Sequence, residues 1–385
     1  MVLTLEHAVA APFATRQLAD LGARVIKVER PGAGDFARGY DERVKGLASH
    51  FVWINRSKES LTLNVKHSEA APILHALLGQ ADVLVQNLAP GAADRLGLGF
   101  DDLHEAYPQL ITCNISGYGA DGPDRDRKAY DLLIQSEAGF LSVTGSDTAP
   151  AKAGISVADI AAGMYAYSNI LAALIQRGKT GRGVNIDVSM LEAMAEWMGY
   201  PMYYAYEGAA PPARAGAAHA TIFPYGPFRA GSGNEVLLGV QNDREWEKFC
   251  TQVVQHPELT DDPRFASNAG RSAQQDTLRE IIEASFASLT AEEVIARLDT
   301  AGIANARMND MAGLWSHAQL RARDRWREVE TPAGPVPALL PPGGIGDAPP
   351  RMDPVPELGQ HSRAILRELG YEDAQIDALA RDGAI

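Results

Sequence analysis

Cysteine is scarce in this 385-residue chain. Cys113 and Cys250 are the only two, and they form neither a CxxC pair nor a disulfide framework. That excludes a disulfide-stapled secreted scaffold and makes a reducing cytoplasm the expected setting. The start, MVLTLEHAVAAP, has no basic region and only a short apolar run, so no secretory leader is expected. No stretch reads as long as an apolar membrane span. The nine histidines are scattered with no HExxH or related spacing, so no metal site is expected. A dinucleotide fingerprint needs GxGxxG directly after the first strand. EHAVAAPFA stands there instead, and Gly32, Gly34 and Gly39 follow the second strand with the wrong spacing. GxxxxGK[ST] is absent, which excludes P-loop chemistry. Basic charge is also short: 35 Lys and Arg against 49 Asp and Glu give a net charge of −14. A general nucleic-acid binder needs a basic face, so that class is excluded too, although a local basic pocket for a phosphorylated ligand is not.

The first third reads as alternating strands and helices. Val2–Leu5 is a short apolar run, Pro12–Leu21 is helical with Gly22 as its stop, and Val25–Glu29 is a strand. Leu61–Val65 reads as a strand, His67–Gly79 as a helix, and Ala81–Gln86 and Leu110–Ile115 as further strands. This alternation predicts an α/β fold, a large Rossmann-like domain with a parallel sheet covered by helices. Residues 207–221, rich in Gly, Ala and Pro, read as a linker that closes a first segment of 1–206. A smaller α+β domain is expected over 222–332. It has a strand at Glu235–Val240 and helices at Asp243–Val253, Ser272–Phe286 and Thr290–Thr300. The last of these opens on a capping box, Thr290 to Glu293. Residues 333–385 read as a second linker and two short helices, split at Gly370, that return to the large domain.

The most informative stretch is Ala153–Met190. It sets Asp159 at the start of a helix with apolar residues at Ile160, Met164, Tyr167, Leu171 and Leu174, a period near 3.6. A Gly-rich basic turn follows, then a strand carrying Val184, Ile186 and Val188. A carboxylate at such a position has two readings. It is an ordinary N-cap, or it is an anion held by free backbone N–H groups and able to act as a nucleophile.

Eight motifs in order resemble one family. They are APFATRQLADLGARVIKVERPGAGD (11–35), NRSKESLTLNVK (55–66), VLVQNLAPGAADRLGLGF (83–100), ISGYGADGP (115–123), KAYDLLIQSEAG (128–139), the Asp159 segment, HATIFPYGPF (219–228) and LGQHS (358–362). The chain resembles the class III CoA-transferases, the CaiB/BaiF family, over nearly its whole length. The resemblance implies that Asp159 is the nucleophile. It also implies a reaction that moves CoA from an acyl-CoA to a free carboxylate through an aspartyl anhydride and an aspartyl-CoA thioester. CoA and acyl-CoA would be substrates, with no resident cofactor and no metal, and the partner would be a second copy in an interlocked homodimer.

The same resemblance implies a CoA site. Arg30 would meet the nucleotide end, Asn87 and Arg95 the phosphates, and Lys128 and Tyr130 the thioester end. Arginine at a helix start suits phosphate by its fork geometry and the helix dipole. Two departures bear on the acceptor. Val9 stands where the oxalate branch has a glutamine, and RAGAAHATIFPYG (214–226) lacks that branch's glycine-rich lid. The pattern is more similar to members that use succinyl-CoA and small dicarboxylates such as itaconate, mesaconate, citramalate or malate. Arg38, Arg43 and His219 are the candidate carboxylate readers. Intramolecular transfer of the mesaconyl-CoA type is an alternative. A 2-methylacyl-CoA racemase is another, but its GHD-type histidine is replaced by Tyr130 in Ala129-Tyr130-Asp131. A non-catalytic acyl-CoA-binding protein is the third.

Overall fold

A computed structural model describes residues 1–385 apart from Ser232 and Ile345. The chain divides into two compact units. The first comprises Met1–Phe140, Ala153–Gly199 and Leu320–Ile385, and the second Leu141–Lys152 and Tyr200–Gln319.

The first unit is built on β1 (Val2–Leu5), β2 (Val25–Glu29), β3 (Lys58–Thr62), β4 (Val83–Gln86), β5 (Ile111–Ser116) and β6 (Asn185–Ser189). All pair in parallel, in the order β3-β2-β1-β4-β5-β6. The expected α/β class with a parallel sheet is therefore found. The central strands β1 and β2 are buried on both faces, as the middle of a parallel sheet requires, whereas the edge strand β6 exposes Asn185 and Asp187. Alternate residues along β1 face opposite layers. Val2 packs with Val25, Val83, Ile111 and the helix Ala10–Asp20 on one side. Leu3 and Leu5 pack with Ile26, Leu84 and the helix Ala70–Leu78 on the other. The two C-terminal helices, Ser362–Glu368 and Asp373–Arg381, bury Ile365, Leu366 and Ile376 in that second layer, split near Gly370 as the sequence suggests.

β3 begins three residues earlier than its apolar signal. Lys58 and Ser60 are buried yet polar: Lys58 donates to Glu6, just past β1, and Ser60 to Glu29 of β2. A strand that buries charge into an ionic network hides from a hydrophobicity pattern.

The long helix spans Val157–Thr180 and stops at Gly181, which takes the left-handed conformation that favours glycine. Its inner face carries Ala158, Ala161, Ala162, Ala166 and Ala173, packed against Ala10, Ala11 and Ala14. The backbones approach so closely that a Cβ on Gly163 would sit 2.7 Å from the carbonyl oxygen of Ala10. By length and composition alone this helix is long and apolar enough to cross a membrane, a test that the core helix of a soluble protein also passes. That corrects the expectation that no stretch reaches that length. The small side chains and the tyrosines hide the run from a reading by bulky apolar residues.

The second unit contains an antiparallel sheet of β7 (Tyr225–Arg229), β8 (Glu235–Gly239) and β9 (Ala304–Arg307). Phe228, Val236, Leu238, Trp246, Phe249, Ile282, Phe286, Val294 and Leu298 form its core. The helix Ala291–Ala301 carries the expected capping box from Thr290 to Glu293. The expected Ser272–Phe286 helix is two, Asn268–Ala273 and Gln275–Phe286. The unit boundaries differ from the sequence reading at three places, the first being that the first segment ends at Gly199 rather than at 206. Residues 141–152 group with the second unit, where Gly145 bridges Pro150 and Arg214 donates to the Ser146 carbonyl. Leu320 onward groups with the first, including the hairpin of β10 (Trp326–Val329) and β11 (Val336–Leu339).

Candidate active site

The order of the sheet reverses between β1 and β4. In doubly wound sheets, ligands bind outside the carboxyl ends of the strands at such a switch point. Here two loops leave that point, His7–Val9 after β1 and Asn87–Pro90 after β4. Asn87 joins them. Its Oδ1 accepts from the His7 N–H at 2.8 Å and its Nδ2 donates to the His7 carbonyl at 2.9 Å. The next residue, Ala8, is forced to φ +60°, a conformation uncommon for a residue with a Cβ. Its N–H donates to Asp35 Oδ1 at 3.1 Å.

Asp35 belongs to a buried ionic network beneath this loop. Lys27 Nζ lies 2.7 Å from Asp35 and 3.4 Å from Glu6, and Lys58 Nζ lies 2.7 Å from Glu6. Thr4 and Thr15 donate to the second Glu6 oxygen. Burial alone would raise the Glu6 carboxyl, but Lys58 and Lys27 outweigh it and hold it down at about 2. None of these residues stands out in sequence, because buried charge is rare and each lies within an ordinary strand or loop. The network fixes the strained loop and so the entrance to the site. His7 itself stacks on Phe36 at 5.4 Å, and burial lowers its pKa, so it is neutral near pH 7.

Asp159 lies in the first turn of the long helix, but it is not the cap. Ser156 occupies the N-cap position and makes no side-chain bond. Asp131, from the helix Asp131–Glu137, does the capping: its Oδ1 accepts from the Ala158 N–H at 2.8 Å and from the Asp159 N–H at 3.4 Å. The expectation that free N–H groups hold Asp159 as an anion is thus corrected. Those groups already serve another carboxylate. Asp159's own carboxylate accepts no hydrogen bond among the described residues. Burial, and then the charge of Asp131, push it up to about 7. Tyr40 stands near: burial raises its phenol to about 12, with Asp35, Asp159 and Tyr130 adding to the shift. A desolvated carboxylate without partners is reactive, because nothing must be broken before it attacks.

The other expected site residues fall into three groups. Arg30, Arg95, Lys128 and Tyr130 are exposed and follow β2, β4 and β5, at the carboxyl edge of the sheet. Among the described residues, Arg30 and Arg95 meet only backbone carbonyls at 3.4 Å, from Gly34 and Pro90, and no carboxylate pairs with them or with Lys128. In a chain of net charge −14 such unpaired cations suit a polyphosphate. Asn87 is already engaged by His7. Arg38 is engaged too, forking onto Glu29 with two bonds of 2.8 Å and lying 3.8 Å over the Phe51 ring. It is a structural cation rather than a free carboxylate reader. Arg43 is exposed in a turn, and its N–H donates to Asp41. His219 lies in the second unit, stacked on Tyr225 at 5.2 Å, with Nδ1 accepting from Thr221 and Ile222 N–H groups. Its free donor is therefore Nε2.

A cavity of about 710 Å³ opens at the ends of β4, β5 and β6. Asp94, Asp101, Asp102, Asp126 and Asp187 line it against Arg125 alone, and that acid excess does not suit phosphates. Among the described residues no three His, Cys, Asp or Glu side chains gather as metal ligands do.

Known proteins match this arrangement along its length. The profile of CoA-transferase family III covers residues 1–362. A mouse (Mus musculus) succinyl-CoA:glutarate CoA-transferase is 34% identical, over all of this chain and 89% of its own. A succinate–glutarate CoA-transferase of Agrobacterium fabrum is 33% identical, over 96% of this chain and 94% of its own. The crystal structure of a CaiB/BaiF family protein from Brucella suis, 33% identical, superposes with a TM-score of 0.83 over 96% of this chain and 97% of that one. A parallel sheet in this strand order, a free carboxylate at the head of its longest helix and relatives a third identical end to end make the chain a member of CoA-transferase family III.

Proposed function

We propose that the protein is a cytoplasmic, homodimeric enzyme that transfers CoA from succinyl-CoA to a small dicarboxylate, with Asp159 as the covalent nucleophile. The relatives named for glutarate support a five-carbon diacid as the first acceptor to test, with citramalate, itaconate, mesaconate and malate beside it.

The Asp159 carboxylate attacks the thioester carbonyl, the C–S bond breaks, and an aspartyl–succinyl anhydride and CoA thiolate result. The thiolate then attacks the aspartyl carbonyl of that anhydride. Succinate leaves and an aspartyl-CoA thioester remains. The acceptor carboxylate attacks this thioester, expels the thiolate and forms the second anhydride. The thiolate attacks the acceptor's acyl carbonyl, which releases the new thioester and restores Asp159. No proton is gained or lost over the cycle. Four modest acyl displacements replace one difficult exchange. Arg30 and Arg95 bind the charged part of CoA, and Lys128 and Tyr130, the latter 67% exposed beside Asp131, serve the thioester end.

The observation that carries this reading is the free, desolvated carboxylate of Asp159 at a helix start that another carboxylate already caps. The test incubates the protein with succinyl-CoA and glutarate and follows glutaryl-CoA. Wild type should make it, and a hydroxylamine-sensitive adduct should form on the peptide carrying Asp159. Turnover by Asp159→Ala at the wild-type rate would discard the nucleophile. Deuterium entering the α-carbon of a 2-methylacyl-CoA, without CoA exchange, would favour the racemase instead.

A further inference from the structure

Gln135 is fully buried and uses both ends of its amide. Nε2 donates to Asp131 Oδ2 at 2.7 Å, and Oε1 accepts from the Ala153 N–H at 2.9 Å. The four-residue spacing puts it on the same face of the short helix as Asp131. The other Asp131 oxygen takes the Ala158 and Asp159 N–H groups. One amide therefore ties together the capping carboxylate and the strand of chain that leads into the nucleophile helix.

A buried amide must find partners, and a leucine would fill the same space without that demand. What the amide adds is orientation. With Oδ2 held by Gln135, Asp131 presents Oδ1 to the helix start and nothing else. If Asp131 turned away, the Ala158 and Asp159 N–H groups would lose their acceptor. The nearest replacement is the carboxylate of Asp159 itself, at the third helical position, where capping side chains fold back on the first turn. Asp159 would then be a hydrogen-bonded, better stabilised anion and a weaker nucleophile.

We propose that Gln135 is a positioning residue for acyl transfer: by locking Asp131 onto the helix start, it keeps the first-turn N–H groups away from the Asp159 carboxylate and leaves that carboxylate reactive. This rests on the reading of Asp159 as nucleophile. The only charge that bears on Asp159 among the described residues is that of Asp131 on the Asp131–Glu137 helix, and the phenol of Tyr40 faces it from the loop after β2.

The experiment measures the rate of adduct formation on Asp159 with succinyl-CoA, by rapid acid quench and mass, from pH 5 to 9. In wild type the rate should rise with pH to a midpoint near 7. In Gln135→Leu it should fall ten- to hundred-fold at pH 8, the midpoint should drop by at least half a unit, and KM for succinyl-CoA should stay within twofold. Asp131→Asn keeps an acceptor oxygen for the helix start but removes the charge, so its midpoint should drop as well. A slower Gln135→Leu with an unmoved midpoint would reduce the residue to a packing role and overturn the proposal. If that variant does not fold, Gln135→Met, which also removes the amide but keeps a flexible unbranched chain, is read in the same way, and an unmoved midpoint overturns the proposal. Absence of any adduct on wild-type Asp159 is a different failure, that of the nucleophile itself.

Discussion

Asn87 grips His7 at both ends of its backbone, through the N–H at 2.8 Å and the carbonyl at 2.9 Å. The contact spans 80 residues of chain and sets the width of the crevice between β1 and β4. Asn87→Ala should therefore cost stability as well as CoA affinity. Two half-buried bonds correspond to about 1–3 kcal/mol, read as a lower midpoint in urea. A residue that only touched the ligand would leave that midpoint unchanged.

Arg95 and Arg30 should behave in the opposite way. Neither has a carboxylate partner among the described residues, so Arg95→Ala and Arg30→Ala should leave the melting temperature within about a degree. Loss of a charge-assisted bond to phosphate should raise KM for acyl-CoA by roughly ten-fold or more. The effect should shrink at high salt, since exposed charges are screened. An unchanged KM in both variants would remove them from the CoA site.

Asp159 should carry a cost in stability as well as reactivity. Its carboxyl titrates at about 7 in the folded chain against an ordinary value of 3.8. The folded state therefore holds the proton more tightly, and stability falls as pH rises between those two values. Asp159→Asn should abolish transfer yet stabilise the protein at pH 8 by roughly 1–3 kcal/mol, allowing for partial solvent screening. That gain should shrink as pH falls toward 4. For the same reason kcat/KM for acyl-CoA should rise through pH 7, as the anion forms. A destabilised Asp159→Asn at pH 8 would mean that the carboxylate has a partner after all.

Arg38 supports the fold through Glu29. Burial would raise the Glu29 carboxyl, but hydrogen bonds from Arg38, with the charge of Lys27, hold it at about 2. That depressed value adds stability above the ordinary value of 4.5, and the contribution is lost as pH falls from there toward 2. Arg38→Ala strands a buried anion, at a cost of about 3–5 kcal/mol. Its deficit in melting temperature should be largest above pH 5 and narrow below pH 4. KM for the acceptor should not move in any variant that still folds, such as Arg38→Lys.

The parallel sheet is legible in the sequence because its strands are apolar runs, and the C-terminal helices because Gly370 divides them. Asp159 is legible as a carboxylate at a helix start, and the family motifs name it. What caps that helix is not legible. Asp131 lies 28 residues upstream, and only the tertiary fold brings its oxygen to the Ala158 N–H. Lys58, Glu6 and Lys27 are equally hidden, because a charged residue in a strand reads as a surface position until its partner is known. Arg38 misleads for the same reason: in a Gly-rich turn it reads as a solvent-facing cation, yet Glu29 and Phe51 enclose it. β7 and β9 escape notice because a Pro and a Gly interrupt one and polar residues fill the other.

The chain leaves the first unit at Phe140, joins the second for twelve residues, and comes back at Ala153. Both flanks of this excursion are anchored in the first unit, one by the helix that holds Asp131 and the other by the Gln135 bond to Ala153. Closing a loop whose ends are already pinned adds little entropy with each further residue. Changes at the exposed tip of the segment, residues 146–149, are thus separated from the carboxylate beyond it by two anchored flanks. An engineer can graft there while the reacting group stays where it is.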